Sequence, residues 1–145
     1  MSTDSELELR NIAVSLMQEI RAAQSTTGIA RATANLWDGI ARQLAPIIGP
    51  GGFDSLFFRS LQLTRASLPW LALADSLDLP QTRTIGLLLN LDARGADEAL
   101  AASDLLLRNF IELIVAMIGG ALTLRLLRPL GGRDTTHETT PESAE

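Results

Sequence analysis

The chain has 145 residues and a net charge of −5. It contains no cysteine and no tyrosine, and all 12 of its basic residues are arginine. That length predicts a single domain able to bury a core without metal or disulfide support. The missing cysteines and lysines exclude disulfides, thiolate nucleophiles, Cys-ligated zinc, lysine Schiff bases and a P-loop lysine.

Taken in order, Met1–Asp4 is polar and expected to fray. MSTDSELELR has neither a basic n-region nor an apolar h-region, so no signal peptide is expected. Ser5 and Glu8 have capping-box spacing and predict a first helix starting there. Leu9, Ile12, Ala13, Leu16, Ile20 and Ala23 recur at three and four and make its inner stripe. Gln24–Gly28 is expected to end it, with Gly28 as a left-handed cap.

A second helix is predicted over Ile29–Ala45, with Ile29, Thr33, Leu36, Trp37, Ile40 and Leu44 inward. Pro46 should kink or stop it. Gly49-Pro50-Gly51-Gly52 reads as an interhelical turn, since a phosphate loop would end in Gly-Lys-Ser/Thr. Phe53–Ser67 predicts a third helix, with Phe53, Leu56, Phe57, Leu61, Thr64 and Leu68 on one face. Pro69–Ser76 should be a short helical piece, with Trp70 plugging the core edge. Thr82–Ala93 fits a buried strand or a helix; helix is preferred, because a lone strand leaves its edges unpaired.

Gly95–Arg128 is the stretch around which the rest is organised. It predicts one long helix with Asp97 and Glu98 in its first turn and Arg125 and Arg128 in its last, as the macrodipole favours. Asp104, Arg108 and Glu112 form a polar stripe, with Arg108 and Glu112 expected to neutralise each other. Leu113–Leu124 then carries no charge and should be covered on every side. A dozen or so apolar residues fall short of the roughly 20 a membrane span needs, so a buried helix is the expectation and membrane contact is not. Pro129, Gly131 and Gly132 end the helix. The tail, 131–145, carries the single histidine, His137, and is expected to be disordered.

The fold class expected is all-α. Four main helices and one short helix should form an irregular antiparallel bundle over residues 5–130, with the long C-terminal helix central. No nucleophile–base set or metal-ligand spacing appears, so no catalytic residue, metal or cofactor is expected and the protein is read as not an enzyme. An acidic domain without a basic cluster is a poor partner for nucleic acid. Arginine-only usage with abundant Ala, Leu and Gly points to a GC-rich bacterial genome, and the expected lack of a signal peptide to a reducing cytoplasm.

Ala116, Gly119, Gly120 and Thr123 continue the polar stripe as a small-residue patch. Each interior glycine costs about 1 kcal/mol relative to alanine. Close approach by another backbone would offset this, either from a helix of the same chain or from a second copy. The function expected is therefore a helical protein–protein interaction or regulatory module of a bacterial cytoplasm, a homodimer that binds another bacterial protein. The alternative is a small-molecule sensor holding an apolar or acidic ligand between the Phe-rich helix and the last helix, at Phe57, Arg59, Arg108 and Glu112. A peripheral membrane protein ranks third.

Overall fold

A computed structural model of the chain describes residues 3–70 and 95–131. Every regular element among them is an α-helix, so the fold is all-α. The Thr82–Ala93 segment, the tail from 132 to 145 and most of Pro69–Ser76 lie outside the described residues. The helices are α1 (Thr3–Ala22), α2 (Thr26–Ser67), α3 (Ala96–Ile118) and α4 (Gly120–Gly131). Each touches the other three; α2 packs most extensively on α3, and α1 on α4.

Helix α1 runs as its stripe predicts, with Leu9, Ile12, Leu16 and Ile20 buried. Met17, absent from that stripe, is also fully buried, because α1 is covered on a broader arc than a single seam. Gly28 is not the cap of α1. Ser25 caps α2 instead: its Oγ accepts from the Gly28 N–H at 3.0 Å, satisfying one donor that the first turn leaves free. The linker between the two helices shrinks accordingly to residues 23–25.

Two sequence expectations about breaks are corrected. Helix α2 passes through Pro46 and changes direction at Gly49, where φ is 83° and ψ is 154°. Pro46 is exposed, as is Arg42, whose carbonyl would have accepted from position 46. Water can therefore replace the missing donor, and the helix continues. At Gly49 the following Pro50 disfavours helical ψ and pushes the residue before it to extended values. The result is a hairpin of two arms, 26–48 and 50–67. Trp37 and Phe57 would lie roughly 30 Å apart on a continuous helix. Their rings instead meet at 5.0 Å, so the arms must fold back on each other.

The predicted single long helix is likewise two. Gly119 (φ 91°, ψ 158°) separates α3 from α4. Its N–H closes α3 on the Val115 carbonyl at 2.8 Å, and its own carbonyl accepts from Thr123 N–H (3.2 Å) and Thr123 Oγ1 (2.7 Å). One residue thus ends one helix and starts the next. Asp97 and Glu98 fall in the first turn of α3 as predicted; of the two arginines expected in the last turn, Arg128 lies in that of α4 and Arg125 a turn earlier. The junction itself carries no charge.

The core is built around four rings. Trp37 stands nearly perpendicular to both Phe57 (77°) and Phe110 (83°), each at 5.0 Å, and Phe53 lies against Phe57 and Phe110. The buried Trp37 Nε1 has no hydrogen-bond partner among the described residues. Perpendicular packing is the arrangement in which an aromatic face offers a weak acceptor. Trp70 packs against the core edge, as its position predicts.

Two polar contacts set how α2 sits on α3. Thr33 and Ser103 share a buried hydroxyl–hydroxyl bond of 2.7 Å. Asn109 Nδ2 donates to Thr64 Oγ1 at 3.0 Å, and that hydroxyl donates to the Ser60 carbonyl at 2.8 Å. Ser103→Ala is expected to destabilise by about 1–3 kcal/mol, because the Thr33 hydroxyl stays buried without its partner. Adding Thr33→Val removes that unmet group, so the double variant should recover most of the loss in urea unfolding. A double variant no more stable than the single one would refute this account.

Candidate functional site

The polar stripe of α3 is the outer wall of a groove. Leu9, Ala13 and Val14 of α1 and Ile111 and Val115 of α3 form its apolar lining, in a depression of about 590 Å³. Arg10 and Arg21 stand on the α1 side, and Asp104, Arg108 and Glu112 on the α3 side. The apolar residues recur one turn apart on each helix, which leaves a continuous strip between two charged margins.

The charges pair differently from the sequence expectation. Arg108 does not neutralise Glu112. Its Nε bonds Asp104 Oδ2 at 3.1 Å, one turn back, and Arg21 Nη2 approaches Asp104 Oδ1 from α1 at 3.6 Å. Glu before Arg is the favourable helical order, which places the acid nearer the positive N-terminus; Asp104 before Arg108 satisfies it. All three groups are partly solvated, so the pairs orient the helices more than they stabilise them.

The four residues of the expected ligand pocket are not brought together. Arg108 and Glu112 line the α1–α3 groove. Phe57 is fully buried within the aromatic cluster. Arg59 is exposed on the second arm of α2 and does not line the groove. The second arm of α2 and α3 close on each other with side chains, and Phe57 is part of that filling.

The small-residue patch is divided too. Ala116 and Gly119 are exposed, whereas Gly120 and Thr123 are buried. The turn at Gly119 rotates α4 away from the face of α3, so the stripe ends there. Gly39 is tightly packed as well. A Cβ at Gly39, in α2, would meet Leu130 Cδ2 of α4 at 3.2 Å. This contact was not legible in the sequence, since nothing local marks Gly39 and its neighbour lies 91 positions on.

Among the described residues, the charge-free segment Leu113–Leu124 is covered on one side only. Ile114, Gly120, Thr123 and Leu124 are buried, while Ala116, Met117, Gly119 and Ala121 face outward, Met117 being 52% exposed. Val14, across the groove, is 55% exposed. The apolar strip of the groove therefore runs on, through Val115, into the bare end of α3.

A second depression, about 570 Å³, lies between α1, α2 and α4. Ser15, Gln18, Glu19, Asn35 and Arg42 surround it. Among the described residues, no three Asp, Glu or His side chains are grouped to hold a metal ion, and no helix is long and apolar enough to cross a membrane. Comparison with protein-family models, with characterised proteins and with solved structures finds no match to this chain.

Proposed function

We propose that the chain is a non-enzymatic helical interaction module that self-associates through the outer face of α3. The observation that carries this reading is the one-sided burial of the charge-free segment 113–124. A helical segment without a polar face needs a cover on each side, and among the described residues this one has a cover on only one. Its exposed end adjoins the apolar groove, which enlarges the uncovered area. Contiguous apolar surface of this kind on a folded domain is characteristic of interaction sites. Of the small-residue patch, Ala116 and Gly119 belong to this surface; Gly120 and Thr123 support it from inside.

The test is the mass in solution. The natural chain is expected to sediment as a dimer. Met117→Glu should weaken association at least tenfold, because it places a charge at the centre of the apolar end. A natural chain that stays monomeric at high concentration would overturn the reading. A Met117→Glu dimer as tight as the natural one would remove this face from the interface.

A second reading is favoured by the groove alone, whose volume falls in the range of small-molecule sites. There Arg108 would meet the head of an apolar acid. It would show as a monomer stabilised by medium-chain alkyl carboxylates, and a flat thermal-shift response would remove it.

A further inference from the structure

Self-association through the outer face of α3 leaves open how two copies are set against each other, and the groove supplies an answer resting on that reading. A two-fold interface uses one patch twice, so that each residue on it meets a different residue of the same patch on the partner. Such a patch must be electrically self-complementary. The groove margins have this property. The α1 margin offers cations, Arg10 and Arg21. The α3 margin offers the acids Asp104 and Glu112, with Arg108 between them.

Three of the five charges are already engaged, since Arg21 and Arg108 both turn to Asp104. What remains is one cation on α1, Arg10, and one anion on α3, Glu112. Neither is held in an ion pair with another described residue. Both are exposed, and both flank the same apolar strip. Arg10 lies about 16 Å along α1 from the Arg21 tie, and Glu112 about 12 Å along α3 from Asp104. The uncommitted charges thus stand towards the end of the groove that opens onto Met117, away from the tied end.

We infer that a second copy of this chain docks in the α1–α3 groove about a two-fold axis, with Arg10 of each copy facing Glu112 of the other across the strip Ala13, Val14, Val115 and Met117. One copy's apolar strip covers the other's, which gives Val14 and Met117 a shelter that the described residues of the single chain do not provide. Opposite charges at the margins fix the register and disfavour the reversed one, in which like charges would meet. An anionic amphiphile fits less well, because the free guanidinium in the groove shares it with a free carboxylate.

The experiment is a charge-reversal pair read by sedimentation equilibrium at low ionic strength. Arg10→Glu alone puts like charges at both contacts of its own dimer, and Glu112→Arg alone does the same with the opposite sign. Each is expected to weaken dimerisation at least tenfold. An equimolar mixture of the two is expected to regain the natural affinity, since in the mixed pair every introduced charge faces its opposite. Contacts within one chain cannot be rescued by mixing, so recovery identifies the contact as intermolecular.

If the natural chain dimerises but neither reversal weakens it, or mixing restores nothing, this arrangement is wrong and self-association through the outer face of α3, in another arrangement, stands. If the natural chain never dimerises, both fall. A monomeric chain stabilised by decanoate would assign the groove to a small amphiphile.

Discussion

Phe110→Ala is expected to be the most damaging single change in the described core, lowering stability by about 3–5 kcal/mol. The ring is fully buried and touches both Trp37 and Phe53, so it joins α3 to both arms of the α2 hairpin. Its removal costs the transfer energy of the ring and leaves a hole that its two aromatic neighbours cannot readily fill. Collapse would need Trp37 to tilt, and Trp37 is already braced by Phe57. Urea unfolding of the natural and variant chains measures the loss. A loss below about 1 kcal/mol would mean that the cluster rearranges freely and is not the element that locks the hairpin to α3.

Gly119→Ala is expected to cost about 1–3 kcal/mol for a different reason. A Cβ there would meet nothing within 4 Å, so no contact opposes the change. The cost comes from φ 91° with ψ 158°, a backbone state open to glycine and closed to L-residues. The variant must either bear that strain or straighten α3 into α4. Straightening would carry Leu124 and Leu127 out of the core. A D-alanine at position 119, introduced by chemical ligation, adopts that backbone state without strain and should restore the stability. If D-alanine is as harmful as L-alanine, the backbone explanation is wrong.

The all-α class and the inner faces of α1 and both arms of α2 were legible in the sequence. They rest on three-and-four spacing, which is local and strong. The breaks were only half legible. Gly-Pro-Gly-Gly announced a turn, but periodicity alone could not say whether Pro46 or Gly49 would be the pivot. At Gly119-Gly120 two readings compete, a helix thinned for close packing and a helix that ends. The choice depends on whether α4 gains more by docking on α1 than α3 gains by continuing. That balance is tertiary.

The same limit applies to the candidate site. Asp104, Arg108 and Glu112 could be placed on one face from their numbers. Arg10, Arg21 and Val14 belong opposite them only because α1 lies alongside α3. Phe57 fits the core and, as the alternative, a ligand wall, because an aromatic on an apolar face looks alike in sequence whether it fills a hole or lines one.

The folded-back shape of α2 has a consequence for the order in which the protein assembles. Trp37 meets Phe57 by closing a short loop, whereas its contact with Phe110 closes one more than three times as long. Loop-closure entropy makes the second encounter costlier by roughly 1 kcal/mol. Contacts near in sequence form sooner than distant ones at equal strength. The hairpin is therefore suited to act as the nucleus, a two-armed template that already presents Trp37, Phe53 and Phe57 before α3 arrives to close over them.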